Sequence, residues 1–181
     1  MNRIDAARCC LLLVDYQARL MPAIHDGEQV LATALRLADA ARLLGVPVLG
    51  TEQNPRGLGP NVDALRQRCA STLTKMHFDA CADGLLDALA AWPDRPELVV
   101  AGCEAHVCLL QTALGLRRAG RALWVVADAC GSRRVADHTL AMQRLRDAGA
   151  TIVGAEMVLF EWVHDCRHPA FRDLLALVKD G

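Results

Sequence analysis

A thiol placed where a strand gives way to a helix is a candidate nucleophile, and Cys108 lies about six residues beyond the apolar run Val99-Val100-Ala101-Gly102. There it would face the positive end of the helix dipole and the free backbone N–H groups, which lower a thiol pKa and favour thiolate. The same N–H groups could hold an oxyanion formed by attack on a carbonyl. The plain alternative is that Cys108 is one of eight small buried thiols. Lys75 draws notice because the chain has only one other lysine, Lys179, and otherwise takes its positive charge from arginine. A compact ammonium with a tunable pKa can stabilise a nearby anion where a guanidinium would not fit. An ordinary strand-end cation is the other reading. Asp15 closes the apolar run Cys9 to Val14 and could take a proton from a thiol. Glu52 and Asp128 occupy equivalent rims, where capping a helix or a loop is the commoner duty, and spacing does not choose among the three.

Other clusters are weaker. Cys103, His106 and Cys108 form one group, and His164, Cys166 and His168 another. Neither has paired Cys-x-x-Cys or His-Glu-x-x-His spacing, so no metal is expected. Gly57-Leu58-Gly59 lacks the third glycine of a dinucleotide fingerprint, and Pro60 after it suits the first turn of a helix. A Gly-x-Ser-x-Gly elbow and a phosphate loop are both missing. No cofactor is expected.

These residues need a scaffold, and the alternation of element types supplies one. Short runs rich in Val and Leu at 9–15, 46–51, 97–102, 122–127 and 151–154, with a weaker one at 72–75, read as buried strands. Between them run helical periods: Val30 to Leu44 before Gly45, Leu110 to Arg117 before Gly120, and Val135 to Leu145 before Gly149. Phe171, Leu174, Leu175 and Val178 mark a closing amphipathic helix after Pro169. Apolar strands alternating with helices demand a parallel sheet covered on both faces. The expected fold is a three-layer α/β/α sandwich with a mostly parallel, about six-stranded Rossmann-like sheet, in one domain over 1–181. Ligands of such sheets bind beyond the carboxyl ends of the strands, where Asp15, Glu52, Lys75, the 104–108 turn and Asp128 fall.

Composition narrows the partners. The 181 residues are 53% hydrophobic and 23% charged, with net charge -1. The arginines are dispersed, so nucleic acid is not an expected partner. The longest aliphatic run falls far short of the ~20 residues of a membrane span. Asp5 and the lack of a cleavage site argue against a signal peptide, which predicts a cytoplasmic protein with reduced cysteines.

Taken in order, Val14-Asp15-Tyr16-Gln17, Lys75 with Phe78, Gly102-Cys103-Glu104-Ala105-His106-Val107-Cys108 followed by Gln111-Thr112-Ala113, and Val126-Ala127-Asp128-Ala129-Cys130-Gly131-Ser132-Arg133 resemble the isochorismatase-like cysteine hydrolase family. Thr51-Glu52-Gln53, Gly57-Leu58-Gly59-Pro60 and His168-Pro169-Ala170-Phe171 resemble its branch of isochorismatase-domain proteins, whose substrates are largely unassigned. The resemblance implies an Asp15, Lys75, Cys108 triad, a non-proline cis peptide just before Glu104, and an oxyanion site formed by the N–H groups of Glu104 and Cys108. Members that cleave the vinyl ether of isochorismate lack the cysteine, so Cys108 points to acyl transfer on a small amide or ureide. Nicotinamidases of this fold hold a metal with an Asp-x-His pair after the second strand, whereas this chain reads Thr51-Glu52-Gln53-Asn54, which speaks against metal and nicotinamide. Gln17, Phe78 and His106 adjoin the triad in sequence and are the expected substrate-lining residues. The family commonly forms homo-oligomers. The competing reading is a catalytically silent oligomeric binding or scaffold protein of the same fold.

Overall fold

The computed structural model describes residues 3–179, so the first two and last two residues of the expected 1–181 domain lie outside the described residues. Six strands form one sheet: β1 (Cys9–Val14), β2 (Val48–Gln53), β3 (Ser71–Lys75), β4 (Glu97–Gly102), β5 (Ala122–Val126) and β6 (Thr151–Val153). Their order is β3-β2-β1-β4-β5-β6 and every pairing is parallel. Every residue of β1, β2 and β4 is buried. That is why β1 and most of β4 read as continuous apolar runs rather than alternating ones, whereas β2 ends in the buried polar residues Thr51, Glu52 and Gln53.

The helices are α1 (Gly27–Leu43), α2 (Pro55–Leu58), α3 (Asp63–Arg66), α4 (Leu85–Leu89), α5 (Leu110–Arg118), α6 (Val135–Asp147), α7 (Ala155–Val163) and α8 (Phe171–Lys179). α1 packs with α7 and α8, and α5 packs with α6. The result is the expected three-layer sandwich, with a core running from Ile4 to Leu174. Gly45, Gly120 and Gly149 follow α1, α5 and α6 with φ of 68°, 78° and 85°. Glycine reaches this left-handed region without steric cost, so each helix stops where the sequence places one.

Three differences from the sequence reading matter. β2 continues through Gln53, so Glu52 and Gln53 are strand residues rather than loop residues. α7 was not anticipated: Ala155, Val158, Leu159, Trp162 and Val163 are buried at helical spacing, but the exposed face carries Met157 and Phe160 beside Glu156, so apolar residues on both faces mask the period. Pro60 does not open a helix; Pro55 opens α2, and α3 begins at Asp63.

The strand order reverses between β1 and β4, and the crevice above them lies at the switch point of the sheet. There the chains approach closely, because a Cβ on Gly102 would sit 2.5 Å from the Val14 carbonyl oxygen. All eight cysteines are free. Among the described residues no helix is long and apolar enough to cross a membrane.

Candidate active site

Asp15 is the first residue past β1, with φ of 56°, and is fully buried. Its N–H donates to the Thr51 carbonyl at 3.2 Å, and its Oδ1 accepts the Thr51 hydroxyl at 2.6 Å. Lys75 ends β3 two strands away, and its Nζ lies 2.7 Å from Asp15 Oδ2, with both side chains at 0% exposure. A buried ion pair of this kind is costly to desolvate, and removing either partner would strand the other charge. The contact is ionic but off the hydrogen-bonding line, so Oδ2 has no aligned donor although the ammonium lies beside it.

Cys108 enters from the other side of the crevice. It sits in a π-helical turn, Ala105–Leu109, in which the Leu109 N–H donates to the Glu104 carbonyl at 3.2 Å. The Cys103–Glu104 peptide at the base of this turn is cis. The segment after β5 straps the turn down: Ala105 N–H donates to Gly131 O at 2.7 Å, Arg133 pairs with Glu104 at 2.6 Å, and His106 Nδ1 meets Ser132 Oγ at 3.0 Å. Thr112, one helical turn beyond Cys108, fixes it relative to Lys75. The Thr112 hydroxyl donates to Phe78 O at 3.2 Å and accepts from Ala80 N at 3.1 Å. Phe78 O and His77 O in turn lie 3.5 Å from Lys75 Nζ. Asp83 holds the same loop by accepting the N–H groups of Met76 and His77 at 2.7 and 2.8 Å, and the His77 ring, 2.8 Å from its Oδ1, together with these N–H groups keeps its carboxyl below the usual range.

The electrostatics depart from the sequence reading at one point. Helix-dipole reasoning predicted a lowered Cys108 pKa, yet the thiol is pushed up to about 12, first by burial and then by the Asp15 carboxylate, with Lys75 opposing. Desolvation of the charged form outweighs the dipole here. The resting group is therefore a thiol, and a base must take its proton as sulfur attacks. Burial likewise raises Cys9, Cys81 and Cys130 to about 12 and Cys69 to about 11. A folded pKa above the ordinary thiol value of 9.0 stabilises the fold fully below that value, and the contribution drains away as pH climbs toward 12. The melting temperature should fall steadily from about pH 9 upward. A flat profile between pH 8.5 and 10.5 would contradict these shifts.

The two rival rim carboxylates are engaged elsewhere. Glu52 Oε1 accepts the Asn61 N–H at 2.9 Å, and Asp128 Oδ1 accepts the Ala155 N–H at the start of α7 at 2.9 Å. Of the expected lining residues, Phe78 is half-exposed and His106 is partly buried against Ser132. Gln17 is fully buried, with its amide bonded to backbone groups of Gln53 and Gly59. Sequence reasoning missed Gln53. Its Oε1 accepts Lys75 Nζ at 2.7 Å and lies 3.9 Å from Cys108 Sγ. The usable signal was strand register, because Gln53 and Lys75 are parallel-strand partners. Among the described residues no three His, Cys, Asp or Glu side chains group as a metal site requires.

A model of the isochorismatase domain matches residues 9–157. The chain belongs to the isochorismatase family. Human isochorismatase domain-containing protein 2 is 34% identical over 180 residues, covering 99% of this chain and 87% of the human protein. Zebrafish isochorismatase domain-containing protein 1 is 37% identical over 172 residues, covering 94% of this chain and 59% of that one. Among solved structures, one described as the MAR1 ribonuclease of Caenorhabditis elegans superposes with a TM-score of 0.92 at 32% identity, covering 98% of this chain and 93% of that one. The YcaC gene product of Escherichia coli, described as an octameric hydrolase of unknown specificity, superposes at 0.86 with 25% identity, covering 99% and 98%. Membership of the isochorismatase family makes hydrolysis the general class of chemistry for this fold.

Proposed function

We propose that this isochorismatase-family chain hydrolyses a small amide or ureide-type C–N bond through a cysteine acyl-enzyme. Asp15 takes the Cys108 proton on Oδ2 as the S–C bond forms. The carbonyl becomes a tetrahedral oxyanion, held by the N–H groups of Glu104 and Cys108. Collapse expels ammonia or an amine, which leaves with the proton from Asp15. Water then attacks the thioester, giving a proton to Asp15 that returns to sulfur as the acid departs. Lys75 remains an ammonium throughout and offsets the charge that moves between oxygen and sulfur. The observation that carries this reading is the fully buried Asp15–Lys75 pair beside Cys108, whose Oδ2 has no aligned donor. A homo-oligomer belongs to the same proposal, supported by the octamer that the Escherichia coli relative is described as forming.

The description of the Caenorhabditis elegans relative as a ribonuclease motivates a second reading, RNA cleavage. The near-neutral charge and dispersed arginines of this chain argue against it, since phosphate backbones are held by concentrated positive charge. One screen separates the readings. Small primary amides, carbamoyl compounds, ureides and a single-stranded RNA are offered to the wild-type protein and to Cys108→Ala. Ammonia or amine release that needs Cys108 supports the proposal. RNA cleavage without amide turnover would replace it, and inertness toward all of them would favour the silent scaffold.

A further inference from the structure

The catalytic reading uses Asp15, Lys75 and Cys108, but a fourth polar group lies among them, and its own main chain is held by a fifth. The Gln53 side chain spans the site. Its Oε1 accepts Lys75 Nζ at 2.7 Å, its Nε2 donates to Met76 O at 2.8 Å, and the Cys108 thiol approaches Oε1 at 3.9 Å. The two fixed partners, a cation on one side and a carbonyl on the other, dictate which way the amide points. Gln53 thus bridges the end of β2, the loop after β3 and the nucleophile.

Gln17 lies behind it, at 0% exposure. Its Oε1 accepts the Gln53 N–H at 2.9 Å and its Nε2 donates to the Gln53 carbonyl at 3.0 Å, with a further bond to Gly59 O. One side-chain amide therefore holds both backbone groups of a single residue, as a neighbouring strand would. Gln17 also forms an isolated antiparallel bridge with Asn61, which ties the segment after β1 to the loop beyond β2. Both its polar atoms are committed to the main chain, leaving its amide no free donor face for a substrate.

We infer that Gln17 and Gln53 form a relay of positioning residues, in which Gln17 fixes the Gln53 backbone and Gln53 fixes the Lys75 ammonium and the resting Cys108 thiol. Gln17 is then not a substrate contact. The inference deepens the proposed hydrolytic reading and rests on it for the turnover readout only. Alkylation of Cys108 needs no substrate and tests the relay even if that reading fails.

The first arm is Gln53→Glu, which is close to isosteric. A second carboxylate beside Lys75 and sulfur disfavours thiolate, so iodoacetamide should alkylate Cys108 about tenfold more slowly at pH 8.5, the change expected for a shift of one pKa unit. A merely structural role predicts the reverse, since loosening exposes the thiol and speeds alkylation. The second arm compares turnover of Gln17→Leu, Gln53→Leu and the double variant on the amide that the screen identifies. Each single change should lower kcat by about 10–100-fold with KM within about twofold, and the double should be no slower than Gln53→Leu alone. If Gln17→Leu fails to fold, Gln17→Glu keeps the size and the acceptor while losing the donor to Gln53 O and Gly59 O. Multiplicative losses, a KM-only effect of either Gln17 variant, or faster alkylation in Gln53→Glu would overturn the relay. A wild type inert toward every amide, together with slowed alkylation in Gln53→Glu, would defeat the hydrolytic reading and leave the relay standing.

Discussion

Cys108→Ala should lower kcat on the best amide substrate by at least about 10⁴-fold, because groups that act as one unit lose nearly all their rate when the nucleophile goes. The KM should change little, since the thiol is small and most substrate contacts lie elsewhere. The fold should tolerate the change, as alanine is close to cysteine in size and the thiol's contact to Gln53 Oε1 is long, at 3.9 Å. Steady-state kinetics with a thermal melt on the same preparation check this. Retention of more than a hundredth of wild-type turnover in a clean preparation would move the chemistry to another residue.

The second large effect concerns stability as well as rate. Lys75→Met should destabilise the protein by about 3–5 kcal/mol, because the Asp15 carboxylate is left uncompensated in a fully buried site. For a chain of this size that is a fall in melting temperature of roughly 10 °C. Without the ammonium, the charge that moves between oxygen and sulfur is no longer offset, so turnover is lost too. The double variant Asp15→Asn with Lys75→Met removes both charges and should recover most of the lost stability while remaining inactive. Chemical denaturation of the wild type, both singles and the double gives the coupling directly. Additive losses would show that the two side chains do not act as a buried pair.

Much of the architecture was readable along the chain because its cause is local. Strands buried on both faces are rich in aliphatic residues, and helices here stop at glycines that adopt positive φ, so β1, β4 and the ends of α1, α5 and α6 fell where the residues placed them. α7 was harder to read because Met157 and Phe160 place apolar side chains on its exposed face and blur the period that marks a helix. Position at a helix start singled out Cys108, and the scarcity of lysine singled out Lys75. Choosing among Asp15, Glu52 and Asp128 needed partners distant in sequence, Asn61 N for Glu52 and Ala155 N for Asp128. Gln53 was hidden for the same reason, since only the register of β2 against β3 brings it to Lys75. The thiol pKa went the other way because a sequence displays a helix start but not the desolvation that outweighs it.

The most direct test of the site's electrostatics is the rate of Cys108 alkylation against pH in three folded proteins: wild type, Asp15→Asn and Lys75→Met. The Asp15 carboxylate raises the thiol pKa and the Lys75 ammonium lowers it. At a fixed pH near 8.5 alkylation should therefore be faster than wild type in Asp15→Asn and slower in Lys75→Met, while hydrolysis is lost in both. Rates that match wild type in both variants would mean that neither group governs the sulfur, and the triad would fall.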